Sequence, residues 1–407
     1  MKQLLIITAG GIVLIGIGVG VYFTFFANQA NVVVAPNDGT SELPVTSTAT
    51  TTNTGEEANP PVEISQPEKI SKRLVQITKD PVVTGAIAYQ ASSTDPTSDI
   101  AVNYLERPSG NIFQYLVHAE TLTRISNKTI PGIQEAKWLP SGTLAFVRYL
   151  SGDTHTTINT YALPANGPAL SGERAGGGYF LAQNIDNLAV SATSLLALAS
   201  GSNGSVGTLE KPDGSQPKQA FKTPLSSLRT SFLGGNQYLA FTKPSATLAG
   251  YAYLVNSTGN FERIAGPLNG LVALGSPSGK WILLSYTSGG ILKLSLLNLA
   301  TRELTPLPVA TLADKCVWRA DDAAVYCGVP VNPPATFAYP DDWYQGAVAF
   351  SDRIWKIDVT GRFAELVLDF RKEAEESLDA TALAIDPKGL VLVFKNKNDA
   401  SLWSYEL

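Results

Sequence analysis

The residues best suited to chemistry are few, and they lie late in the chain. Residues 329–351 read VPVNPPATFAYPDDWYQGAVAFS, which sets Asp341 and Asp342 beside Trp343 and Tyr344, with Tyr339 just upstream. Carboxylates next to aromatic rings suit a sugar-stacking or cation-binding surface, because a ring offers apolar area with a polar rim. A second acidic run, residues 370–379, carries Glu373, Glu375, Glu376 and Asp379. Glycosidase chemistry needs two facing carboxylates, which Asp341, Asp342 and Glu376 could supply. Adjacent loop aspartates are more often solvated turn formers. The expected role of the 329–351 segment is packing, with Pro333, Pro334 and Pro340 stiffening it while its aromatics bury. The alternative is a ligand or partner face built from Tyr339, Asp341, Asp342, Trp343, Tyr344, Glu373 and Glu376, because loops of this length are uncommon without a role.

Other chemistries find little support. His118 and His155 are the two histidines, and both sit in turn-like contexts where a solvated residue is expected rather than a general base. No G-x-S-x-G nucleophile elbow is present. Gly176-Gly177-Gly178 lacks the lysine and the strand–helix setting of a phosphate loop. No catalytic residue, metal or cofactor is therefore assigned. Cys316 and Cys327 flank an Ala320-Asp321-Asp322 turn. If that turn joins two antiparallel strands symmetrically, Trp318 faces Val325 and Cys316 faces Cys327. Cross-strand Cβ atoms lie about 4.5–5.5 Å apart, so a disulfide is within reach. The alternative is a pair of buried free thiols acting as small apolar residues; a metal site would need further ligands, and none are near.

The elements that must position these residues are short strands. Residues 275–306 read GSPSGKWILLSYTSGGILKLSLLNLATRELTP: a Ser-Pro-Ser-Gly turn, an apolar run, a Gly-Gly turn, then a run alternating with a period of two. The unit recurs. Anchors at Ser98, Gly142, Ser194, Asn236, Gly279, Asp322 and Gly389 are spaced by about 44, 52, 42, 43, 43 and 67 residues, around the ~40–45 of a four-stranded propeller blade. The expected fold is an all-β, seven-bladed β-propeller over residues 70–407. The long last spacing marks an insertion between the second and third strands of the sixth blade. In a propeller such loops emerge on the same face as those joining blades, so both acidic segments are expected on one face. The last unit stops at Leu407 after its third strand, and residues 72–78 resemble an outer strand. That N-terminal strand is expected to complete the last blade and remove its open edge. A stack of unclosed sheets is the alternative.

The run Trp138-Leu139-Pro140-Ser141-Gly142-Thr143-Leu144-Ala145-Phe146 resembles the W-S-P-D-G-x-x-I-A-F signature of TolB-type, WD40-like propeller repeats, with degenerate copies at 275–283 and 385–394. The aspartate of the family pattern is Ser141, Ser278 and Lys388 here. The resemblance implies a fold and no activity, and the whole looks most like membrane-anchored exported bacterial propellers.

Residues 4–27 are apolar throughout and long enough for a bilayer, which takes about 20 residues. An uncleaved anchor is expected over 1–27, because the run exceeds a signal peptide's core and ends without a good cleavage site. Lys2 lies on one flank, and no Lys or Arg follows on the other until Lys69, which places the N-terminus in the cytoplasm and the remainder outside a cell membrane. Residues 28–69, rich in Ser, Thr and Pro, are expected to form a disordered linker. A net charge of −5 with 16% charged residues argues against a nucleic-acid partner. The expected function is a binding or scaffold module for a protein or envelope polymer; the alternative is a glycan-acting enzyme using the acidic loops.

Overall fold

The computed structural model describes residues 72–407 apart from 93, 96, 127, 166–176 and 235. The anchor and linker expected over 1–69 lie outside the described residues, among which no helix is long and apolar enough to cross a membrane.

Antiparallel meanders follow one another along the chain. Ile87–Gln90, Ile100–Leu105, Ile112–Leu116 and Thr121–Arg124 form the first sheet. Ile133–Trp138, Leu144–Ser151, Thr157–Pro164 and Tyr179–Phe180 form the second, and Asn187–Val190, Leu195–Gly201, Gly204–Glu210 and Lys218–Thr223 the third. A seven-stranded sheet then runs from Leu228–Leu233 through Gln237–Thr242, Ala249–Val255, Phe261–Gly275, Trp281–Ser288 and Ile291–Asn298 to Leu304–Pro306. Its long middle strand pairs with Ala249–Val255 through Phe261 to Asn269 and with Trp281–Ser288 from Asn269 to Gly275. It thus ends one meander and begins the next. Cys316–Trp318, Ala324–Pro330, Asp352–Asp358 and Ala364–Asp369 make the fifth sheet.

The last sheet takes three strands from the C-terminus, Ala380–Ile385, Val391–Asn396 and Leu402–Glu406, and its fourth, Leu74–Thr78, from the opposite end. Leu74 lies opposite Tyr405, and Gln76 opposite Trp403. The expected closing strand is present, and it covers an edge that would otherwise offer unpaired N–H and C=O groups.

All seven anchor residues fall in the turn between the first and second strands of their meanders. The backbone explains the residue types: Gly142, Asn236, Gly279, Asp322 and Gly389 hold φ between 59° and 76°, a region that Gly, Asn and Asp tolerate best. At Gly142 a Cβ would also lie 2.3 Å from the Tyr89 ring, so no other residue fits there without displacing it.

Burial falls from the inner strands outward. Ile100–Leu105 and Ala324–Pro330 are buried at every position, whereas Thr121–Arg124 is exposed at every position. Strands covered on both faces read as continuous apolar runs, which is why the second strands carried the clearest signal. The cores lie between consecutive sheets. Leu105 and Ile112 of the first meet Ala145 and Leu163 of the second, and Phe146 of the second meets Leu188 and Leu195 of the third. The circuit closes where Val391, Val393 and Leu402 of the last sheet pack against Ile100, Val102 and Tyr104 of the first.

Candidate functional site

One cavity of about 970 Å³ is lined by residues on, or just ahead of, the first strand of every meander: Thr84, Glu135, Asn187, Thr230, Ala273, Asp314 and Thr381. It is therefore the central channel, and Trp343 and Tyr344 of the 331–351 insertion complete its wall.

The insertion is more ordered than an irregular loop. Asp342 Oδ2 accepts the Ala338 N–H at 2.7 Å ahead of a short helix, Asp341–Gln345, which Gly346 ends at φ 80°. Asp341 Oδ2 accepts the Ala246 N–H at 3.1 Å, which ties the helix to the 243–248 turn. Tyr339 and Trp343 are buried, and they cluster with Phe350, Val348, Leu292 and Leu312. The Trp343 ring stacks on Phe350 with centroids 6.1 Å apart. These aromatics pack over the ring, and their faces meet protein. Tyr344 donates its hydroxyl to Asp314 Oδ2 at 2.5 Å and lies beneath the Arg229 guanidinium. Burial, with Asp314 beside it, pushes the Tyr344 hydroxyl far above its ordinary range. Glu373, at the end of the second short helix (Phe370–Glu373), and Glu376 stand exposed.

The two acidic segments do meet, but through Asp379. Its Oδ2 accepts the Trp343 indole N–H at 2.9 Å and the Phe350 N–H at 2.8 Å, while its Oδ1 pairs with Lys315. Lys315 also contacts Asp352 at 2.8 Å, and the side chains of all three are fully buried. Two carboxylates around one ammonium leave an excess negative charge. Burial, opposed by Lys315 and reinforced by Asp379, pushes the Asp352 carboxyl up to about 6. A buried charge survives only when paired and hydrogen-bonded, and Lys315 further donates to the Ala380 carbonyl at 2.9 Å. No local sequence pattern marks this triad, whose members lie 27 to 64 residues apart. Lys315 ends the 3-10 turn Ala313–Lys315 just ahead of the strand Cys316–Trp318, and a lone lysine beside an apolar run is its only trace in the sequence.

The expected cysteine register holds: Cys316 pairs with Cys327 and Trp318 with Val325, and the two sulfurs form a disulfide. His118 is exposed, its Nδ1 2.7 Å from Asp99 Oδ1, and His155 is an exposed turn residue. Among the described residues no group of three His, Cys, Asp or Glu is placed to hold a metal ion.

Charge inside the channel runs against that of the chain. Nine charged residues line it, six cationic and three anionic, although the protein carries −5 overall. Glu135 bridges Arg148 at 2.7 Å and Lys137 at 3.1 Å, and these cations hold it below its ordinary range despite burial. Asp314 pairs with Arg229 at 2.7 Å, and Asp186 Oδ2 accepts the Ser200 N–H at 2.7 Å.

No protein-family model matches the sequence, and no curated protein matches it. The fold is shared with solved structures. An oligogalacturonate lyase from Vibrio parahaemolyticus superimposes with a TM-score of 0.53 at 7% identity, over 82% of this chain and 93% of the other. The β-propeller domain of the trilobed protease from Pyrococcus furiosus gives 0.50 at 12%, over 78% and 95%. A TolB homologue from Agrobacterium tumefaciens gives 0.44 at 11%, over 72% and 96%. At these identities the first two show a common architecture and nothing more: this chain has a β-propeller fold.

Proposed function

We propose that the chain is a membrane-tethered, extracytoplasmic propeller of seven blades that serves as a binding or scaffold module for a protein or envelope polymer. The blade count is supported by the seven anchor turns and by the shared strand Phe261–Gly275, which divides the seven-stranded sheet into two meanders. The apolar 4–27 segment and the Cys316–Cys327 bridge support export, because disulfides persist in oxidising compartments. The binding reading rests on one observation: a concave channel of about 970 Å³ whose wall is completed by an insertion hydrogen-bonded at Asp342, Trp343 and Tyr344. Rigid concave surfaces of that size suit recognition. Full-length protein from solubilised membranes, together with isolated envelope polymer, supplies the test. Recovery of a stoichiometric partner or co-sedimentation with the polymer supports the reading, and failure of both overturns it.

The second reading is a glycan-acting enzyme, kept because the fold is shared with an oligogalacturonate lyase. Its acids would be drawn from Asp341, Asp342 and Glu376. Oligosaccharide cleavage that survives Asp341→Asn and Asp342→Asn removes those two from any mechanism.

A further inference from the structure

Among the described residues, three channel cations form no ion pair with a carboxylate. The Lys395 ammonium donates to Thr84 Oγ1 at 2.8 Å, a neutral acceptor. Lys397 lies over the Trp343 ring, 5.1 Å from its centroid. Lys243 sits exposed at the rim. The three carboxylates of the channel cannot serve them, since Glu135, Asp314 and Asp186 are each engaged elsewhere. Two of these lysines are also desolvated. Burial, with Arg107 nearby, pushes Lys395 down to about 8, and burial lowers Lys397 although Asp379 opposes it. Lys395 and Lys397 are half-buried, and a partly desolvated cation without an ion-pair partner is stabilised by an anion arriving from solvent. The channel lining carries three more cations than anions, and a cleft with an excess of one sign of charge raises the local concentration of the opposite ion.

We propose that the channel binds a small polyanion, a molecule with two or more carboxylate or phosphate groups, held by Lys243, Lys395 and Lys397. The proposal rests on the channel as the binding face described above and names the ligand chemistry of that face. The cavity, at about 970 Å³, admits a molecule of several rings or several phosphates. Lysine suits this role because its ammonium acts as a point charge and accommodates either anion type.

The test is titration calorimetry on the full-length chain in detergent with three probes: tripolyphosphate, trigalacturonate and neutral chitotriose. At least one anionic probe is expected to bind with a sub-millimolar Kd that weakens tenfold or more between 50 and about 200 mM salt, as charge-driven binding does. Lys397→Gln and Lys243→Gln are each expected to weaken it at least fivefold while leaving the melting temperature unchanged or raised. Preference for one anionic probe identifies the acid type. If neither anion binds, or both variants bind as well as the parent, the proposal is overturned. Binding of chitotriose alone overturns it too, yet leaves the channel as a binding face; no binding by any probe, with a partner still recovered from membranes, rejects only the anion.

Discussion

Trp343 donates its indole N–H to Asp379 Oδ2 at 2.9 Å, so the insertion that follows the second strand of one sheet is fastened to the residue just ahead of the first strand of the next. The bond makes the insertion part of the channel wall and couples it to the Lys315–Asp352–Asp379 triad. Trp343→Ala empties a site packed against Phe350 and is expected to cost roughly 3–5 kcal/mol. Trp343→Phe keeps the ring but leaves Asp379 Oδ2 with one donor fewer, at about 1–3 kcal/mol. Urea unfolding of both variants checks the order; a Trp343→Phe variant as stable as the parent would show that the hydrogen bond contributes nothing, and equal costs would show that the ring packing adds nothing to it.

Burial holds the Asp352 carboxyl near 6, above the ~3.9 of an unfolded aspartate. Between those values the folded state binds the proton more tightly, so this group's stabilising contribution is complete below about pH 4 and lost as pH rises through about 6. Wild type should therefore gain stability over Asp352→Asn as pH falls from 7 to 4, measured as the difference in denaturation midpoint. A difference that shrinks over that range would contradict the assignment.

Lys395 carries the opposite sign. Its folded value of about 8 lies below the ~10.4 of an unfolded lysine, so the unfolded state binds more protons between the two and stability rises with pH across that window. Lys395→Met should raise the melting temperature at pH 7, and the gain should shrink as pH climbs from 8 towards 10.5. A variant destabilised at pH 7 and indifferent to pH would show that the ammonium is not strained.

Two covalent or topological clasps can be tested separately. The Cys316–Cys327 bridge closes a loop with a sequence separation of 11, worth about 3 kcal/mol in the chain-entropy account. Reduction, or the double serine variant, should lower the melting temperature accordingly. Deleting residues 72–78 should expose the edge of Leu402–Glu406 and make the domain aggregation-prone, visible by light scattering. A monomeric product with the parent's cooperativity would remove the closing strand from the account.

The ring was legible because its signals are local. A turn needing positive φ at Gly142, Asn236, Gly279, Asp322 or Gly389, followed by a strand buried on both faces, leaves its trace in five to ten adjacent residues. The Cys316–Cys327 register followed from one turn's symmetry. The channel was not legible, because its charges come from residues such as Arg148, Arg229 and Lys395, far apart in sequence and joined only by ring closure. The insertion lay between these cases. Its length and aromatics flagged it, but the direction of Trp343, inward onto Asp379, depends on a partner 36 residues away.

The central claim, that the channel mouth is the binding face of a tethered propeller, is tested most directly by site-specific photo-crosslinking in intact membranes. A photoreactive residue is placed at Lys243 or Ser200, both exposed and both lining the channel, and for comparison at Leu122 on an outer strand, which is 48% exposed. The account predicts a discrete crosslinked species from the two mouth positions and none from Leu122. Crosslinking from Leu122 alone, or the same products from all three positions, would contradict it.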